Sequence, residues 1–171
     1  IPGVDFDDCQ SDRLVLNVLK DMGADIEIGR DGVRVRHSQL IGQAIDCNDF
    51  IDQFMLLAVV GAVAEGTTIL TGAEACRHKE CDRIAAMEES LTAMGASVES
   101  LPDGLIVHHS ALRGATLSSR RDHRMVMSMT CAAMAAMGET TITDIGCVEK
   151  TFPDFVDEMK SLGCDLTTTE V

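Results

Sequence analysis

Asp82-Arg83-Ile84-Ala85-Ala86-Met87-Glu88-Glu89-Ser90-Leu91-Thr92-Ala93-Met94-Gly95-Ala96-Ser97-Val98-Glu99-Ser100 is the stretch that decides the fold. Ile84, Met87, Leu91 and Met94 recur at helical spacing, so its first part predicts an amphipathic helix. Gly95 is placed to stop that helix in a left-handed turn. Ser97 to Ser100 then alternates like a strand, and Pro102-Asp103-Gly104 reads as a turn into a second strand, Leu105-Ile106-Val107. Further on, a more apolar helix is expected from His123 to Met137, and a last strand at Thr140-Thr141-Ile142.

The same order occurs earlier in the chain. Asp12-Arg13-Leu14 opens a segment ending in Met22-Gly23-Ala24, as Asp82-Arg83-Ile84 opens one ending in Met94-Gly95-Ala96. Strands are expected at Asp25-Ile26-Glu27-Ile28 and Val33-Arg34-Val35 around the turn Arg30-Asp31-Gly32. An apolar helix from about Asp52 to Ala64 and a strand at Thr67-Thr68-Ile69-Leu70 follow. A third copy begins near Asp154, reaches Leu162-Gly163-Cys164 and continues into a strand expected at Asp165-Leu166-Thr167. The spacing from Asp12 to Asp82 exceeds the period of ordinary solenoids. The expectation is therefore one closed α/β domain over residues 1–171, a pseudo-threefold repeat of α-β-β-α-β units. The units cover about 12–70, 82–143 and 154–171, and the third is incomplete. The segment Met125 to Met137 has almost no polar face, which predicts buried helices with the sheets packed outside them.

Composition narrows the function classes. A formal net charge of −14 argues against nucleic acid, which needs a basic footprint. Small anions stay open, because a local cluster can bind them inside an acidic protein. Seven Cys, an odd count without CxxC spacing, disfavour a disulfide framework or a zinc site and fit a reducing cytoplasm. Cys9 and most of the others read as small apolar fillers. His37, His78, His108 and His109 show no metal-ligand pattern, and the last two read as surface residues. The longest apolar run, Phe54 to Ala64, is about half a membrane span, so no membrane is expected.

Seven of the fourteen Lys and Arg fall in three short segments. These are Arg77-His78-Lys79-Glu80-Cys81-Asp82-Arg83, Arg120-Arg121-Asp122-His123-Arg124, and Lys150-Thr151-Phe152-Pro153. Each precedes an expected helix, whose free N–H groups and positive end suit anions. A phosphate or carboxylate site assembled from several repeats is one reading; capping and solvated charge is the other. Asp122 fits a helix cap, and so does Asp12 ahead of Arg13. Asp52 reads either as a cap or as a carboxylate facing the cationic cluster and suited to proton transfer, with Asp49 competing for both roles.

Taken in order, Arg77-x-Lys79-Glu80-x-Asp82-Arg83, Asp122-His123-Arg124-Met125 and Lys150-Thr151-Phe152-Pro153-Asp154-Phe155 resemble the 5-enolpyruvylshikimate-3-phosphate (EPSP) synthase family. The resemblance covers nearly the whole chain and corresponds to the C-terminal portion of a protein more than twice as long. It implies a fold of inside-out α/β units, with transfer of the enolpyruvyl group of phosphoenolpyruvate to the 5-hydroxyl of shikimate 3-phosphate and release of phosphate. It also implies no metal and no organic cofactor, a missing N-terminal domain as partner, and a monomer at full length. Carried over by position, Asp52 and Lys79 would contact shikimate 3-phosphate, and Asp52 and Glu80 would transfer protons. His123 would lie beside the reacting centre, and Arg83, Arg124 and Lys150 would clamp phosphoenolpyruvate. Ala75 departs from the Asn usual in the family, and Arg120 and Arg121 stand where small or polar residues are usual; they are expected to face solvent. The related UDP-N-acetylglucosamine enolpyruvyl transferases share repeat and chemistry but carry an Arg-Gly-Tyr-Glu type motif in place of Lys150-Thr151-Phe152-Pro153. A non-catalytic anion-binding domain of the same fold is the remaining alternative.

Overall fold

The computed structural model describes residues 1, 10–30 and 32–169. The readings of Cys9 as a filler and Asp31 as a turn residue lie outside the described residues. In the first repeat a 3-10 turn (Ser11–Leu14) leads into α1 (Val15–Asp21), β1 (Asp25–Gly29), β2 (Gly32–Arg36) and β3 (Ala44–Asp46). A second 3-10 turn (Asn48–Gln53), α2 (Phe54–Val63) and β4 (Thr67–Thr71) complete it. The second repeat runs through a 3-10 turn (Glu74–His78), α3 (Arg83–Ala93), β5 (Ser97–Leu101), β6 (Gly104–His108), β7 (Thr116–Ser118), α4 (His123–Ala135) and β8 (Thr141–Thr143). A last 3-10 turn (Ile145–Lys150) and α5 (Phe155–Ser161) begin the third.

The expected repeat is present, with local differences. Each full unit carries one more strand than expected, β3 and β7, of three residues each. Each buries one side chain, Ile45 or Leu117, too short an alternation to stand out in a sequence. The expected strand at Asp165-Leu166-Thr167 is absent: the chain is irregular from Cys164 to Thr169. A strand exists by its ladder of hydrogen bonds to a neighbour, and no described strand pairs with this segment. Asp12 also differs from its counterpart Asp82: it sits inside a 3-10 turn and makes no helix cap.

The sheets join the units. One four-stranded sheet has the order β3-β4-β6-β5, with β3 parallel to β4, and β6 antiparallel to both β4 and β5. Half of it comes from each repeat. The hairpin β1-β2 is the first-repeat counterpart of β5-β6, and the parallel pair β7-β8 is the second-repeat counterpart of β3-β4. Ile1 exchanges both backbone hydrogen bonds with Val33 of β2, 2.8 and 2.9 Å long. It takes the place beside Val33 that Leu70 takes beside Leu105 in the next repeat. Gly42 and Gly114 stand at equivalent places in the two repeats and let neighbouring backbones touch. A Cβ would meet the carbonyl of Thr67 in one repeat and of Glu139 in the other.

The core lies between the helices and the inner sheet faces. α2 buries Phe54, Met55, Leu57, Ala58, Val59 and Ala62 against α4 and α3, where Met125, Met129, Met87 and Leu91 are also buried. Burying a Leu or Met of this kind contributes about 1.5–3 kcal/mol, so this central helix layer holds the repeats together. α1, α3 and α5 end in Gly23, Gly95 and Gly163, with φ of 102°, 88° and 93°. This is the left-handed stop the sequence predicts, and it swings the chain back along the core. Among the described residues no helix is long and apolar enough to cross a membrane.

Candidate active site

The site is built where α3 and α4 start side by side. Asp122 caps α4, accepting the Arg124 amide at 2.9 Å. Its carboxylate is fully buried and faces the guanidinium of Arg83, the first residue of α3. Arg83 Nε donates to Asp122 Oδ2 at 2.8 Å and Nη2 to Oδ1 at 3.3 Å. Asp82 caps α3 by accepting the Ala85 amide at 3.0 Å, which fixes the helix end that carries Arg83. Two helix starts are thus locked by one buried ion pair, with Arg83 only 2% exposed.

The outward side of Arg83 carries two more carboxylates. Nη1 donates to Asp52 Oδ1 at 3.1 Å and Nη2 to Glu80 Oε2 at 2.7 Å. Arg124 reaches the same Asp52, with Nη2 on Oδ2 at 3.1 Å and Nη1 on the backbone carbonyl at 3.2 Å. Lys79 Nζ lies 3.8 Å from Asp52 Oδ1, and His123 Nδ1 lies 3.9 Å from Glu80 Oε1. Six of the seven residues singled out in the sequence, Asp52, Lys79, Glu80, Arg83, His123 and Arg124, therefore form one cluster. Asp52 makes no capping bond, since α2 is preceded by Gln53 without a side-chain cap. Asp49 is exposed and lies outside the cluster's bonds. Lys150 ends the 3-10 turn before α5 with an exposed side chain, and no ion pair or hydrogen bond among the described residues joins it to the cluster.

The remaining basic residues have structural or surface positions. Arg77 is tied to the carbonyls of Pro102 and Leu101 at 2.7 and 2.6 Å and to Asp82 at 3.0 Å, so it braces the β5-β6 turn against α3. Arg120 and Arg121 face solvent, as expected, and Arg120 pairs with Glu89. Their φ values of 52° and 58° are left-handed, in a turn held by Ser118 Oγ and Ser119 Oγ, which accept their amides. Ala75 is exposed. The His108 side chain meets Thr67 and Glu99 near the surface.

Sequence reasoning undervalued two residues. Asp122 is more than a cap, because it anchors Arg83. Cys81 Sγ donates to Asp122 Oδ2 at 3.8 Å; nothing in the local sequence marks it, since its role depends on a residue far along the chain. Burial alone would raise the Asp122 carboxyl, but hydrogen bonds and charge from Arg83, with the Arg124 amide, hold it below the usual range. Burial works against the charged Arg83 too, and Asp122, Glu80 and Asp52 outweigh it. Burial, then the charge of Asp122, pushes the Cys81 thiol up to about 11, which suits a hydrogen-bond donor and not a nucleophile.

The cluster thus holds three cationic groups, Lys79, Arg83 and Arg124, against three carboxylates, with the side chains of Lys79, Asp52, Glu80 and Arg124 partly open to solvent. Fixed guanidinium forks of this kind recognise carboxylate and phosphate, and the carboxylates at their edge can accept and return protons. Among the described residues no three His, Cys, Asp or Glu side chains converge as a metal site would require.

Residues 1–159 match the family model for EPSP synthase (3-phosphoshikimate 1-carboxyvinyltransferase). The chain belongs to the EPSP synthase family. A 3-phosphoshikimate 1-carboxyvinyltransferase of Acetivibrio thermocellus is 40% identical over 170 residues, 99% of this chain and 40% of that protein. One from Methanococcus maripaludis is 45% identical over 159 residues, 92% of this chain and 37% of the relative. The EPSP synthase of Acinetobacter baumannii superposes with a TM-score of 0.85 at 30% identity, over 94% of this chain and 40% of that one. The enolpyruvyl transferase NikO of Streptomyces tendae, at 24% identity and a TM-score of 0.76, shares the fold. The fold is therefore EPSP synthase-like, and the chain spans about 40% of the length of the relatives it matches.

Proposed function

We propose that this chain forms the C-terminal portion of a two-domain EPSP synthase, which transfers the enolpyruvyl group of phosphoenolpyruvate to the 5-hydroxyl of shikimate 3-phosphate and releases phosphate. The observation that carries the reading is the convergence of Arg83, Arg124 and Lys79 on one carboxylate, Asp52, beside the adjoining starts of α3 and α4. In this reading Arg83 and Arg124 clamp the anionic groups of phosphoenolpyruvate, and Lys150 joins them as the cleft closes. Asp52 accepts the proton of the attacking hydroxyl, and Lys79 holds that hydroxyl region. Glu80, with His123 beside it, handles the proton at the methylene carbon. The hydroxyl oxygen bonds to the enol carbon as the methylene is protonated. The tetrahedral intermediate then loses phosphate, and a proton leaves the methyl group to restore the double bond.

Positioning supplies about 7–11 kcal/mol in well-oriented reactions, and this chain holds only part of the groups that would provide it. The remaining length of the relatives is assigned the other part, including most contacts to shikimate 3-phosphate. The full protein is read as a cytoplasmic monomer using neither metal nor organic cofactor. The test is complementation of an aromatic-amino-acid auxotroph by the full-length gene, with the 171-residue chain as control. Growth with the former and none with the latter is expected. Failure of the full-length gene to complement, in a strain where its product accumulates, refutes the reading. Phosphate release by the 171-residue chain with both substrates refutes the assignment of turnover to the longer protein.

A further inference from the structure

Asp52 is held as a bound ligand would be held. Each carboxylate oxygen has an arginine of its own, Arg83 Nη1 on Oδ1 and Arg124 Nη2 on Oδ2, both at 3.1 Å. Lys79 Nζ stands 3.8 Å from Oδ1 as a third positive charge. Two guanidinium groups sharing one carboxylate is the arrangement such forks offer to a carboxylate from outside. The three cations of the cluster are balanced by Asp52, Glu80 and Asp122, so an arriving anion meets no net positive charge. Asp122 cannot leave, being fully buried and tied into the cap of α4. Asp52 can: its side chain is one-third exposed, it makes no capping bond, and it sits on a 3-10 turn whose helical geometry is already broken at Phe50 (φ −143°, ψ 49°).

We propose that Asp52 is an internal pseudo-ligand of the cationic cluster, which keeps Arg83 and Arg124 occupied until an incoming carboxylate or phosphate takes its place. The displaced Asp52 is then turned away from the two guanidinium groups and is free to take a hydrogen bond or a proton from another group. The resting affinity for anions is accordingly low, and it is set by competition inside the chain. This deepens the proposed function and rests on its reading of Arg83 and Arg124 as anion clamps. Its test measures binding alone, so failure of the full-length protein to make EPSP leaves it standing.

The test is calorimetric titration of the 171-residue chain and its Asp52→Asn variant with phosphoenolpyruvate, and separately with inorganic phosphate. Asp52→Asn removes the charge, keeps the size, and is expected to bind phosphoenolpyruvate about tenfold tighter, the scale of two partly exposed charge-assisted contacts released from competition. Glu80→Gln, which leaves Asp52 in place, is expected to gain less. Equal or weaker binding by Asp52→Asn, or no binding by either chain, overturns the proposal. A thermal melt checks that the variant is folded, and Asp52→Ser replaces it otherwise. A second measurement needs no variant: in the wild-type chain, the Asp52 carboxyl carbon resonance is expected to shift on addition of phosphoenolpyruvate. An unmoved resonance while neighbouring Arg83 and Arg124 signals shift overturns the proposal too.

Discussion

Replacing Arg83 by Met tests whether the buried ion pair at the joint of α3 and α4 organises this part of the fold. Met is similar in length and apolar, so the change removes charge and hydrogen bonds while filling much of the space. Asp122 would be left fully buried with two donors, the Arg124 amide at 2.9 Å and the Cys81 thiol at 3.8 Å, where Arg83 had supplied two more and a full charge. Removing one partner of a buried pair costs about 3–5 kcal/mol, because the other charge stays desolvated. For a chain of this size each kcal/mol moves the melting temperature by about 2–4 °C, so a fall of roughly 6–20 °C is expected. The chain has no Trp or Tyr, so helix circular dichroism during heating and urea unfolding is the suitable probe. The effect must also depend on pH with a definite sign. Arg83 holds the native Asp122 carboxyl below its ordinary range. That stabilisation is fully present above about pH 4, the unfolded value, and is lost as pH falls through the lower native value. The gap between wild type and Arg83→Met is therefore expected to shrink as pH falls from 7, first as the desolvated carboxyl of the variant takes up its proton and then further below about pH 4 as the wild-type stabilisation is lost. A variant melting within about 2 °C of wild type at pH 7, or a gap unchanged at pH 3, refutes the reasoning.

Gly104→Ala would drive a Cβ into the carbonyl of Leu70 across the β4-β6 seam, and a loss of about 1–3 kcal/mol in urea unfolding is expected. Gly146→Ala, with no atom within 4 Å of the added carbon, serves as its control and should change stability by less than about 0.5 kcal/mol. Lys150→Met should leave the melt of this chain unchanged, since its side chain is exposed; in the full-length protein it should nearly abolish enolpyruvyl transfer, measured as phosphate release. Burial pushes the Cys47 and Cys76 thiols up to about 12 and about 11. A disulfide reagent at pH 8 should therefore modify both only on unfolding, while half-buried Cys164 reacts in the native chain.

Much of this molecule is legible along the chain because it depends on neighbours in sequence. Helical spacing in Ile84, Met87, Leu91 and Met94, the glycine stops and the alternation of β5 have counterparts in the first repeat, and the structure keeps them. Two of the three basic motifs contribute residues to the cluster, Lys79 with Arg83 and Arg124, while Lys150 of the third stands apart from it. The short strands β3 and β7 were not legible, because so short a strand makes no periodicity of its own. The strand expected at Asp165-Leu166-Thr167 failed for a related reason: alternation marks a strand that could pair, and pairing needs a partner.

The individual roles within the basic motifs were decided only in three dimensions. Arg77 and Arg83 look alike in one segment, yet Arg77 braces a turn against backbone carbonyls while Arg83 is buried among three carboxylates. Asp52 had equal claims as cap and as site residue until folding brought Arg124 to it from the next repeat. The sequence by itself determined the repeat, the apolar helices of the core and the mixed charge of the cluster, because local side-chain pattern controls each of these; the segment expected to be buried to Met137 is so only in its first part, since Met134 and Met137 are exposed. Which carboxylate meets which cation was decided by tertiary structure alone. That choice depends on two helix starts from one repeat being packed against a turn from another, where Arg83 and Asp122 are buried and leaving either unpaired would be costly.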